Sequence, residues 1–160
     1  MKALFYVACA EIIAYLVATV ITFRCIPKSI SETHYMWSKK GYKYLFTAVM
    51  WLVGLPIMIY WISVSKQNLQ ALAFISVAAM MFVGAACAFK ETLTKEVHYA
   101  SAGVWAAAAL AYFVIAGDWL SIVIGSVVFM FFAIIYDVKH FTFWAEISCI
   151  VMMMIGIYLL

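Results

Sequence analysis

Between Val97 and Tyr136 the chain runs 40 residues with almost no polar interruption. As one helix, rising 1.5 Å per residue, that run would extend about 60 Å, twice the roughly 30 Å hydrocarbon core of a bilayer. It must therefore turn once, and Gly117-Asp118 is the best polar break within it. Gly117 suits the end of the preceding helix and Asp118 the cap of the following one. Two spans result, Val97–Ala116 and Trp119–Tyr136.

Four more stretches reach the length of about 20 apolar residues that a membrane helix needs. They are Ala3–Phe23, interrupted by Glu11, then Tyr42–Val64, Ala71–Phe89 and Phe141–Leu160. Gly54 and Pro56 lie close enough to kink the second. The first is read as retained: its apolar run exceeds a signal-peptide core, and Phe23-Arg24-Cys25 is no small-residue cleavage site. With 69% of residues hydrophobic and 11% charged, a water-soluble domain and a disordered chain are both excluded. The predicted fold is an all-α, polytopic integral membrane protein: one domain over residues 1–160, a bundle of six transmembrane helices.

Six spans put both termini on one side. Eight of the ten basic residues fall on the other: Arg24, Lys28, Lys39, Lys40, Lys43, Lys90, Lys95 and Lys139. Lys2 and Lys66 remain on the side of the termini. The positive-inside rule makes the basic side cytoplasmic and both termini external, in a cell (inner) membrane. The net charge of +3 then belongs to loops facing anionic lipid, and nucleic acid is not an expected partner. Cys9, Cys25, Cys87 and Cys149 have neither C-x-x-C nor zinc-ribbon spacing, and no disulfide framework is expected.

Small residues let helices approach closely in a bilayer. Gly84 and Ala88 in the third span, with Ala100, Gly103, Ala107 and Ala111 in the fourth, predict a close pair between those spans. Tyr42, Tyr44, Tyr60, Trp61, Trp119, Tyr136, Phe141 and Trp144 predict interfacial aromatic belts. Met152, Met153 and Met154 read as packing or lipid-facing residues.

Ser29-Ile30-Ser31-Glu32 matches a capping box, and Gly41 after Lys39-Lys40 matches a helix stop. A short interfacial helix over Ile30–Lys40 is therefore expected after the first span. Glu91 and Lys95 are spaced for an i,i+4 pair.

All three histidines, His34, His98 and His140, fall at the cytoplasmic side, as do Glu32, Glu91, Glu96 and Asp137. A cluster of Glu32, His34, His98, Asp137 and His140 is the candidate binding site. Imidazole nitrogen and carboxylate oxygen suit zinc, so His34, His98, His140 and Asp137 form the candidate metal set. Against it, Glu32 has a capping role, His34 a boundary position, and no H-x-x-x-H or H-E-x-x-H occurs. Glu11 and Glu146 lie inside apolar spans, where a carboxylate faces the bundle or a wet cavity. Tyr15 and Ser148 are candidate hydrogen-bond partners for them.

Ile30-Ser31-Glu32-Thr33, shortly after Pro27, resembles the I-S-[DE]-T segment of DRAM-like autophagy modulators. Glu96-Val97-His98-Tyr99-Ala100-Ser101-Ala102 is similar to the polar start of a middle helix in that family. The resemblance implies a six-helix, lipid-associated membrane protein without an established catalytic activity. More distantly the chain resembles the alkaline ceramidase and progestin and adipoQ receptor group, for which only Ser31 and His98 offer matches to the zinc-site residues. That group's paired histidines in the last helix are absent here.

The expected function is non-catalytic binding of membrane lipid or a protein partner, including a second copy, through the cytoplasmic His/carboxylate cluster. One alternative is a zinc-dependent amide or ester hydrolase acting on lipid with the same residues. Another is a small proton or cation channel using Glu11 and Glu146.

Overall fold

The computed structural model describes residues 2–86 and 91–160, with side chains for all of these except 91–95. Cys87, Ala88, Lys90 and the expected Glu91–Lys95 pair lie outside what is described. Seven helices follow one another among the described residues: α1 (Lys2–Phe23), α2 (Glu32–Ser38), α3 (Leu45–Val64), α4 (Gln70–Ala85), α5 (Glu91–Ala116), α6 (Trp119–Phe129) and α7 (Phe141–Leu159). All but α2 belong to segments long and apolar enough to cross a membrane, α6 together with the wide turns of Met130–Tyr136. The six expected spans are thus present as helices.

The stops fall where backbone chemistry puts them. Gly117 has φ +77°, and beyond it Asp118 N–H donates to Phe113 O at 3.0 Å, closing α5. The Asp118 carboxylate then accepts from Ser121 N–H at 3.2 Å and from the Ser121 hydroxyl, capping α6. Gly41, at φ +89°, closes α2 in the same way, with Tyr42 N–H donating to Trp37 O. α3 begins at Leu45, after a turn in which Leu45 N–H bonds Tyr42 O, and not at the expected Tyr42.

Helices α1, α3, α4 and α5 pack in sequence, α6 pairs with α7, and α5 joins the two groups. Between antiparallel α3 and α4 the fit is reciprocal. A Cβ on Gly54 would stand 2.5 Å from Met81 Cγ, and one on Gly84 would stand 2.5 Å from Met50 Cβ. Each glycine is thus the socket for a methionine of the other helix. Thr47 adds a hydroxyl bond to Gly84 O at 2.8 Å.

This corrects the expected small-residue seam. α4 and α5 do pack closely, but Gly84 serves α3, while Ala100, Gly103 and Ala107 face outward. α5 instead turns Trp105, Ala108, Ala109, Tyr112 and Phe113 into the bundle. Burying three aromatic rings outweighs burying methyl groups, so the aromatics set the helix rotation. Phe113 in turn fills the notch at Gly156 of α7 and stacks on Trp61 at 5.5 Å between centroids. Trp61 and Tyr60, expected in an interfacial belt, are therefore core residues, whereas Tyr42, Tyr44, Trp119, Tyr136 and Phe141 are exposed near helix ends. Met152 and Met153 are buried, Met152 against Gly125 of α6.

After Phe129 the helix widens into π turns over Met130–Tyr136, ending with Asp137 N–H donating to Phe132 O at 2.9 Å. No sequence signal announced this segment.

Candidate functional site

The polar end of the bundle is organised by α2. Ser29 Oγ accepts from Glu32 N–H at 3.1 Å, and the Glu32 carboxylate reaches back to Lys28 N–H. The reciprocal logic of the expected capping box is present, displaced by one residue on the return bond. The regular helix starts at Glu32, later than the expected Ile30. Glu32, Thr33 and His34 N–H groups bond three residues back, to Ser29, Ile30 and Ser31, and so form tight turns before α2 proper.

Two hydroxyl relays fasten α2 to α1. Trp37 Nε1 donates to Thr19 Oγ1 at 2.9 Å, and Thr19 donates onward to Tyr15 O at 2.8 Å. Thr33 Oγ1 donates to Ile30 O, so the 2.6 Å bond between Tyr15 and Thr33 has the Tyr15 hydroxyl as donor. Thr19 and Thr33 are fully buried, and satisfied hydroxyls are what make that burial tolerable.

On the other flank α2 is fastened to α7. The Glu146 carboxylate accepts from Ile30 N–H, and Phe143 N–H donates to Lys28 O at 3.0 Å. The expected partner of Glu146, Ser148, donates instead to Trp144 O at 2.6 Å, and the Tyr15 hydroxyl bonds Thr33. Glu11 keeps one buried carboxylate oxygen without a hydrogen-bond partner. A central void of about 10 Å³ is lined by Ile12, Met50, Val53, Ile57, Met80, Ile150, Met153 and Met154. It includes neither acid and offers water no polar partner, so it joins Glu11 and Glu146 into no wet path.

The expected cluster divides into three places. His34 sits in α2 at 6% exposure, with Nδ1 buried and unpartnered. Its pKa is lowered, first by burial and then by the charge of Lys43. His98 lies half-buried on α5, beside the backbone of Val83 in α4. His140 lies in the turn before α7, its Nδ1 2.7 Å from Asp137 Oδ2. Trp144 Nε1 donates to the same oxygen at 3.3 Å. Burial pushes the Asp137 carboxyl up, but the Trp144 and His140 hydrogen bonds and the His140 charge outweigh it and hold it below its ordinary value.

Only Asp137 and His140 of the proposed metal set are thus in contact. Among the described residues no three His, Cys, Asp or Glu side chains converge closely enough to hold a metal ion. Four histidine and aspartate residues on one side of a sequence-level topology need not meet, because separate helices carry them. Asp137 does orient His140 through Nδ1, yet no described hydroxyl or thiol bonds to that ring. The pair closes the turn before α7.

What the end does present is charge. Arg24, Lys28, Lys39, Lys40, Lys43 and Lys139 are all exposed. The one ion pair among the described residues is Asp137–His140, so no described acid neutralises any of these six cations. Lys40 Nζ lies 5.5 Å from the Phe23 ring centroid and Lys43 Nζ 5.5 Å from that of Tyr44, geometries that hold ammonium groups beside aromatic faces. The positions of these cations are legible in the sequence, but not that Glu32, Asp137 and Glu146 are engaged by other groups.

No family model matches this chain, and neither a curated protein nor a solved structure does.

Proposed function

We propose that the chain is a non-catalytic integral membrane protein that binds anionic lipid headgroups through the α2 end of its bundle. The observation that supports this reading is the set of six exposed cations without a described acidic partner. An anionic leaflet attracts each such residue by about 1 kcal/mol near its surface. On this reading the α2 end faces the cytoplasm of a cell membrane and both termini face outward. The resemblance of Ile30-Ser31-Glu32-Thr33 to DRAM-like proteins points the same way, toward lipid association without catalysis.

The test is reconstitution into nanodiscs of phosphatidylcholine with a minor share of phosphatidylglycerol, followed by native mass spectrometry of the lipids retained. The wild type is expected to retain phosphatidylglycerol well above its share. The Lys39→Gln/Lys40→Gln/Lys43→Gln variant removes about 3 kcal/mol of attraction and is expected to return retention to the bulk ratio. Equal retention of the two lipids by the wild type, or unchanged enrichment in the folded triple variant, overturns the reading.

A further inference from the structure

Most of the buried histidine's surroundings are explained by packing, but its protonation state is not neutral to that packing. His34 is sealed inside the docked α2, and its Nδ1 has no partner to receive or supply a proton. Burial opposes a positive charge on it, and Lys43, ahead of α3, is the charged residue that adds to this; the Tyr35 ring packs against it in a T-shaped pair at 5.1 Å. From α1 the titratable group bonded to α2 is Tyr15, whose hydroxyl bonds Thr33 at 2.6 Å. From α7 it is Glu146, engaged with Ile30 N–H, with Cys149 near that carboxylate. Glu32, on α2 itself, bonds Lys28 N–H. None of these hydrogen bonds includes the His34 ring.

α2 also bridges α1 and α7, helices that belong to different packing groups. α1 packs along α3, and α7 along α6. α2 and its preceding turn bond to both, through Thr19 and Tyr15 on one side and Glu146 and Phe143 on the other.

We propose that α2 is an acid-released clamp: protonating His34 in its sealed position frees α2 from α1 and α7. A charge buried without a partner is costly, and the chain avoids the cost by exposing the imidazole. The sign follows from the lowered pKa. Docking holds at full strength above the imidazole's ordinary value of 6.5, because both states are then neutral. As pH falls below 6.5 the released state binds the proton first, and docking weakens until the docked imidazole also titrates. Release exposes the Glu146 carboxylate and the buried Ile30 and Thr33. This inference does not depend on lipid binding.

The test is hydrogen exchange of the full chain in detergent at pH 7.5 and 5.0, corrected for the pH dependence of intrinsic exchange. Amide protection over residues 32–38 is expected to fall on acidification, with residues 45–64 unchanged. His34→Gln, which has no titrating group, is expected to keep the same protection at both pH values. Lys43→Gln removes the opposing charge and is expected to lose less protection than the wild type. A wild type equally protected at both pH values overturns the proposal, as does a parallel loss in His34→Gln. If His34→Gln is already unprotected at pH 7.5, Lys43→Gln decides, and a loss equal to that of the wild type overturns it.

Discussion

The α2 end and the α3–α4–α5 core of this bundle are held together by different physics. In the core, methionines enter glycine notches and aromatic rings stack, as at Met50–Gly84, Met81–Gly54 and Phe113–Gly156. Such contacts depend on shape and are indifferent to pH. At the α2 end the contacts are hydrogen bonds whose donors and acceptors are named one by one, from Trp37–Thr19 to Glu146–Ile30. Directional bonds fix a unique position for a seven-residue helix that is too short to be stable alone. They also leave that position open to chemical control, which shape complementarity does not.

The sharpest way to break the comparison is at the glycine notches. A Cβ at Gly156 would lie 2.2 Å from Phe113 Cε1, and Phe113 is fully buried against Trp61. Gly156→Val is expected to destabilise the fold by about 3 kcal/mol, the upper range for overpacking. Gly103 has nothing within 4 Å of an added Cβ, so Gly103→Ala is expected to be neutral or stabilising by up to about 1 kcal/mol. Unfolding of both variants in mixed micelles, followed by circular dichroism, measures the contrast. Equal effects at the two glycines would show that the notch is not what holds α5 to α7.

A smaller effect is expected at the α2 end. Glu146→Leu leaves the Ile30 N–H without its acceptor, at a cost of about 1–3 kcal/mol. Glu146→Gln retains a carbonyl oxygen at nearly the same place and is expected to lose less. The loss should appear as reduced amide protection across α2 while the α3–α4 core keeps its own. A uniform loss across all helices would mean that the two regions unfold as one unit.

The smallest expected effect concerns the turn before α7. Because its hydrogen bonds hold the Asp137 carboxyl below its ordinary value of 3.8, the turn is stabilised above that value. The stabilisation is lost as pH falls through the lower folded value. The His140 amide, which donates to Asp137 O at 3.1 Å, should therefore keep its protection from neutral pH down to about pH 4 and lose it only in stronger acid. Loss already near pH 6, where the carboxylate is still ionised, would show that Asp137 is not what holds the turn.

Much of the fold was legible because it depends on local chemistry. Gly117-Asp118 stops one helix and caps the next through neighbouring backbone groups, and Gly41 ends α2 likewise. The rotation of α5 was not legible: the alanine and glycine stripe and the aromatic stripe are both periodic, and only the neighbours available decide which is buried. The candidate site divides in the same manner. Glu32 could be read as a cap from its spacing to Ser29. That Glu146 would cap a turn 116 residues away could not.

The sequence by itself determined that six apolar helices would form, that one of them would stop at Gly117-Asp118, and that α2 would end at Gly41. Each of these follows from hydropathy, length and short-range backbone bonding. Only the tertiary structure decided that His34, His98 and His140 stand apart, that Glu146 holds α2, and that His34 is sealed within it. Helix rotation and inter-helix partners decide such matters, and they emerge from packing the whole bundle at once.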